Sequence, residues 1–257
     1  MDFNNHNTPV VARVSPIYIL PSLFTLAAMF CGFYAIIQSI ANNFISSGIA
    51  IFFAMILDSL DGRVARMTHT SSPFGAELDS LADMVSFGVA PAVITFNWGL
   101  YKYGKIGWLI AFIYCACAGL RLARFNTMAA SQDKRYFIGI PSPAAAALVV
   151  GFIYICSVYK FHGAIYHVLN AIMTVVAAFT MVSNVKFYSF KELNFQHRGK
   201  FRVLLILLLI FALLLIYPDL VIYGFFVVYT ITSYIIFLFR LKRKRSKLTI
   251  VKSDNNN

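Results

Sequence analysis

A chain of 257 residues that is 60% hydrophobic and only 12% charged, with positive mean hydropathy, is not an ordinary soluble domain, which carries about 25% charged residues. The net charge of +12 does not mark a nucleic-acid binder, because the cations flank apolar runs. Composition predicts an all-α polytopic membrane helix bundle.

In chain order, the polar stretch from Asp2 to Thr8 is not basic, and no small-residue cleavage site follows the first apolar run, so that run is read as a permanent helix. Spanning helices need on the order of 20 apolar residues. About eight runs qualify: 17–41, 44–66, 76–98, 106–128, 141–159, 164–187, 201–217 and 219–240. The fifth and seventh are short, which suits a bent or partly buried helix. Pro141 and Pro143 are placed to start the fifth helix, and the alanines from Ala144 to Ala147 permit close packing within it. The expected organisation is a catalytic core over 1–190, a C-terminal helix pair over 191–240 and a basic, disordered tail over 241–257. The tail from Arg240 to Lys247 follows a membrane helix directly, so it reads as a stop signal or a contact with anionic lipid heads.

With a cytoplasmic N-terminus and one span per run, 19 of the 22 Lys and Arg fall on the cytoplasmic side. Only Lys102, Lys105 and Lys160 fall outside. The asymmetry fits the positive-inside rule and predicts both termini in the cytoplasm. A bacterial inner membrane is the expected location. Cys31, Cys115, Cys117 and Cys156 lie inside apolar runs and read as small core residues. His69, His162, His167 and His197 show no shared ligand spacing.

The second and third runs hold the strongest signal. Asp58, Asp61, Glu77, Asp79 and Asp83 gather in a sequence that is otherwise apolar on both sides. Each ionised carboxylate costs roughly 2.5–3.5 kcal/mol on insertion scales, so such groups mark a working site. Spacings of three (Asp58, Asp61) and four (Asp79, Asp83) put each pair on one helix face. A short turn at Ser71, Ser72 and Pro73 lets two antiparallel helices present the four aspartates to one another. An oxygen-rich site of this kind suits Mg2+ or Mn2+. Glu77 falls on another face and reads as peripheral. Gly62, Ala65, Gly75 and Ala76 let the helices approach and leave room for a bulky ligand, and a larger side chain at Gly62 would shield Asp61. Arg66, one turn after Gly62, is placed to pair with phosphate oxygens. Together these residues suggest phosphoryl transfer. The bland reading, in which the acids only pair with Arg63 and Arg66, leaves two cations against five acids.

The pattern Asp58-x2-Asp61-Gly62-x2-Ala65-Arg66-x8-Gly75-x3-Asp79-x3-Asp83 resembles the signature of the CDP-alcohol phosphatidyltransferases. The stretches Leu23–Leu26, Phe30–Phe33, Ser86–Pro91, Arg121–Asn126, Phe137–Ala144 and Met181–Lys186 are similar to the phosphatidylserine synthase branch of that family. Ser22 and Ala28 depart from it, standing where similar sequences carry asparagine.

The resemblance implies an enzyme that displaces CMP from CDP-diacylglycerol with an alcohol. It implies metal binding by Asp58, Asp61, Asp79 and Asp83, with Asp83 also the general base. A metal-bound Asp83 without a base role is the alternative. Thr25, Gly62, Ala65, Arg66 and Gly75 are the candidates for the CDP-lipid pocket. For L-serine, Arg121 and Arg124 share a helix face and are the first candidates, with Asn126, Ser142 and Lys186 behind them. The competing reading of the two arginines is a helix stop at the interface or a grip on lipid phosphate. A homodimer is compatible with the resemblance, membrane lipid is an expected partner, and no nucleic acid is. Two other functions remain open. One is the same chemistry on glycerol 3-phosphate. The other is an ion-coupled transporter, which predicts mid-bilayer acids and inverted repeats.

Overall fold

The computed structural model describes residues 19–68, 70, 72–128, 136–161, 163–183, 186–188, 208, 212–232, 234 and 235. Seven helices lead: α1 (Ile19–Ile40), α2 (Phe44–Met67), α3 (Pro73–Asp83), α4 (Ala90–Trp98), α5 (Lys105–Met128), α6 (Ser142–Val158) and α7 (Ala164–Val182). An eighth, α8, covers Pro218–Thr232. Five segments are long and apolar enough to cross a bilayer: Leu20–Ile40, Phe44–Met67, Pro73–Trp98, Lys105–Met128 and Ala164–Val182. The protein is a multi-pass integral membrane protein. Its exposed apolar side chains, such as Phe30, Phe53, Phe112 and Phe179, suit a lipid surround.

The first six apolar runs coincide with these helices, with two differences. The third begins earlier, at Pro73, because Ser72 caps it: the Ser72 hydroxyl accepts from Gly75 N at 3.0 Å and Pro73 takes the first turn. The sixth ends at Val182 rather than 187. Beyond it β2 (Lys186–Tyr188) pairs antiparallel with β1 (Tyr136–Ile138), Phe137 opposite Phe187. This short ribbon is an addition to the all-α expectation. The seventh run lies largely outside the described residues, as do Ser71, His69, His162, His197 and the basic tail.

The α1–α2 hairpin turns through Asn42 in the left-handed region (φ 61). Asn43 then caps α2, its side chain accepting from Ser46 N. Across the hairpin the Ser47 hydroxyl donates to the Ala35 carbonyl at 2.9 Å, which fixes the register of the two helices.

Between α3 and α4 the helix loosens into a π-helical turn, Met84–Val89. Its cause is legible. Pro91 has no N–H to give to the carbonyl four residues back, that of Phe87. Tyr114 of α5, fully buried, donates its hydroxyl to that carbonyl at 3.2 Å. Ser86 in the same turn donates to the Ala28 carbonyl of α1 at 3.0 Å. Gly32 permits this approach, since a Cβ there would lie 2.6 Å from Ser86 Cα. The turn that follows Asp83 is therefore fastened from α1 and α5. Tyr114→Phe leaves the buried Phe87 carbonyl without its donor and is expected to cost about 1–3 kcal/mol of stability. A lowered melting temperature in detergent checks this.

The short fifth helix is α6, and it is buried. Ala146, Val150 and Ile153 belong to a core with Ile51, Ala54, Phe87 and Ile94, while Ala145 and Val149 belong to a second core with Tyr114, Ala178 and Met181. The alanine run lets α2, α4 and α7 close around this central helix.

Candidate active site

Asp58 and Asp61 sit in the last three turns of α2, and Asp79 and Asp83 in the second half of α3. One carboxylate oxygen from each of Asp58, Asp61 and Asp79 lies within 4.8 Å of the others. Asp83 stands beside this mutual set, its carboxyl meeting that of Asp58. Asp61 is the most deeply placed, only 5% exposed. The hydroxyl of buried Thr25, on α1, donates to its Oδ2 at 2.9 Å. Glu77 is exposed and apart.

Three hard oxygen donors at this spacing fit a divalent cation, and without positive charge among them they would repel. Among the described residues no salt bridge joins Arg63 or Arg66 to these carboxylates. The cation that faces them is Arg121 of α5, set against Asp83 and Asp58.

A cavity of about 220 Å3 opens beside Asp61 and Asp79. Its wall includes all five residues expected of the CDP-lipid pocket: Thr25, Gly62, Ala65, Arg66 and Gly75. Gly62 leaves that wall open, and a Cβ there would meet only the Arg66 guanidinium, at 3.5 Å. Ala76, expected with the other small residues to leave room for a ligand, lines it too, as do Thr70 and Ser72, which the sequence did not mark as site residues. Ser22, noted only as a departure, is a wall residue too, whereas Ala28 is buried and gives its carbonyl to Ser86.

The five residues expected to read serine divide. Arg121 donates to the Ser142 hydroxyl at the start of α6, beside the carboxylates. Arg124 donates instead to the carbonyls of Val182 (3.0 Å) and Met181 (3.3 Å), which end α7. Asn126 donates to the Ser80 hydroxyl of α3 at 2.8 Å. Lys186 lies on β2, and its side chain is outside the described residues.

Fold and site together define a polytopic membrane protein with a carboxylate cluster, able to hold a divalent ion, at one end of its bundle. The chain belongs to the CDP-alcohol phosphatidyltransferase family, whose model matches residues 18–182. It is 39% identical over 199 residues to a CDP-diacylglycerol–serine O-phosphatidyltransferase of Helicobacter pylori (strain J99), covering 77% of this chain and 84% of the relative. To the protein of the same name from Bacillus subtilis it is 37% identical over 174 residues, 67% of this chain and 92% of the relative. To that from Methanocaldococcus jannaschii it is 40% identical over 152 residues, 59% and 68%.

Proposed function

We propose that this protein transfers the phosphatidyl group of CDP-diacylglycerol to the hydroxyl of L-serine, giving phosphatidylserine and CMP. The observation that carries the reading is the meeting of Asp58, Asp61 and Asp79 within 4.8 Å, beside a cavity walled by the small residues of the same motif.

Asp58, Asp61 and Asp79 would hold the ion, Mg2+ or Mn2+. When bound, it supplies Lewis-acid charge neutralisation for the pyrophosphate oxygens. Thr25 fixes the Asp61 carboxylate in place. Gly62, Ala65 and Gly75 leave volume for the cytidine end of the substrate, and Arg66 on the same wall pairs with phosphate oxygens. Arg121, held by Ser142, is the cation best placed to bind the serine carboxylate. Asp83 accepts the proton of the serine hydroxyl as its oxygen attacks the phosphorus bearing diacylglycerol. The bond from that phosphorus to the bridging pyrophosphate oxygen breaks, and CMP leaves with the electron pair. Arg124 orders the end of α7 rather than touching the acceptor.

The charge asymmetry supports placing this site and both termini on the cytoplasmic side, with the chain in a bacterial inner membrane. Asp61 and Asp79 lie toward one end of the spans that carry them (Phe44–Met67 and Pro73–Trp98), with Asp58 and Asp83 nearer their middles, so the cluster reaches inward from one side of the bundle.

Purified protein supplied with CDP-diacylglycerol is expected to release CMP in a metal-dependent way that L-serine stimulates. Glycerol 3-phosphate or inositol should not stimulate it. Equal or greater stimulation by glycerol 3-phosphate would overturn the serine assignment. A Gly62→Val variant projects two methyl groups into the cavity wall. It is expected to raise KM for CDP-diacylglycerol about tenfold or more. Metal affinity should stay unchanged, and titration of Mn2+ checks that half of the outcome.

A further inference from the structure

A cavity of about 780 Å3 lies at the other end of the bundle from the carboxylates. Its wall includes Ile45 in the first turn of α2, sixteen residues before Asp61, which is about 24 Å along a helix. It is therefore a separate site, and nothing in the transfer reaction uses it.

Its chemistry is that of a place for a negative group on an apolar body. Lys102 Nζ lies 2.9 Å from His167 Nε2, and an ammonium has two further N–H donors to give. The beginnings of α2 (Phe44) and α7 (Ala164) both border the cleft, and no side chain caps α7 at Gly163. Helix beginnings add positive potential to that of the lysine. Among the described residues, no Asp or Glu is in the wall.

The seat is built rather than incidental. The His167 ring packs on Trp98 with centroids 4.7 Å apart. It fits there because residue 99 is glycine: a Cβ would lie 2.2 Å from His167 Nδ1. Tyr101, whose ring lies 5.9 Å from the lysine ammonium, and Phe161 continue an aromatic wall of the sort found at headgroup level in a bilayer. Lys102 is one of only three cations that charge asymmetry places on this side of the membrane.

We propose that this cleft binds the phosphate of a membrane phospholipid headgroup, with Lys102 as its charge partner and Trp98 against its glycerol end. The exposed apolar side chains of the neighbouring helices would receive the acyl chains.

The test uses the full-length protein in detergent. The chain has two tryptophans, Trp98 and Trp108, so a Trp108→Phe background leaves Trp98 as the only tryptophan emitter. Dihexanoyl phosphatidylglycerol, kept below its micelle concentration, is expected to change Trp98 emission saturably. Lys102→Ala should weaken that binding about tenfold, and Lys102→Arg should restore most of it. CMP release by all variants should match the parent, which shows that each is folded.

Dihexanoylglycerol, which lacks the phosphate, should give no saturable change. An equal response to it, or an affinity indifferent to Lys102→Ala, overturns the proposal. Inorganic phosphate binding as tightly as the lipid overturns the amphiphile and leaves only a free anion in the cleft.

Discussion

Asp83→Asn is expected to lower CMP release by about 10²–10⁴-fold while CDP-diacylglycerol still binds. The expectation follows from where Asp83 stands. Its carboxyl meets Asp58 but lies outside the mutual set of Asp58, Asp61 and Asp79, so three oxygen donors remain when it is changed. Asparagine keeps the size and an amide that can donate to Asp58, and it removes only the capacity to accept a proton. Arg121, which faces both Asp58 and Asp83, keeps one anionic partner in the variant. Three measurements decide the matter: turnover with serine, binding of CDP-diacylglycerol without serine, and Mn2+ affinity by electron paramagnetic resonance. Lost turnover with the other two intact supports Asp83 as the base. A fall in Mn2+ affinity would make Asp83 a metal ligand instead, and retained turnover would remove it from the proton path.

The π-helical turn after Asp83 bears on the same prediction. A wider turn alters the direction in which the following residues point, and such turns are common at functional sites. Here it is fastened by Tyr114 to Phe87 and by Ser86 to Ala28. Only Pro91 signals it in the sequence, through the hydrogen bond that proline cannot make, and a proline in an apolar run is equally compatible with a simple kink. The acid cluster was easier to read. Spacings of three and four on two helices joined by a short turn leave little freedom, and the cavity wall of Gly62, Ala65 and Gly75 comes with the same motif.

The acceptor side was harder for a physical reason. Arg121 and Arg124 share a helix face, but a guanidinium stands several bonds from its backbone and can turn either way. Arg121 faces the carboxylates, while Arg124 satisfies backbone carbonyls at the end of α7 that would otherwise lack donors. The β1–β2 ribbon was missed because three residues per strand carry no usable alternation, and apolar Phe187 extended the sixth run past Val182.

The other large effect is expected at Asp61. It is the most buried aspartate, it belongs to the mutual set of three, and Thr25 holds it from a third helix, α1. Asp61→Ala removes one of the three carboxylate donors of the mutual set, and activity should fall by about 10²–10³-fold or more. Thr25→Val provides a graded companion. It keeps every carboxylate and deletes only the hydroxyl that orients Asp61. Loss of such an outer partner is expected to cost about 10–100-fold in metal affinity or activity. Mn2+ binding to the purified protein, measured without substrate, should therefore weaken in the order parent, Thr25→Val, Asp61→Ala. The order separates orientation from ligation: Thr25 has no carboxylate, so its effect must pass through Asp61. In the double variant the two losses should not add, because the hydroxyl has nothing left to orient. Unchanged Mn2+ affinity in both single variants would show that the ion is held elsewhere, and the carboxylate cluster would lose its assigned role.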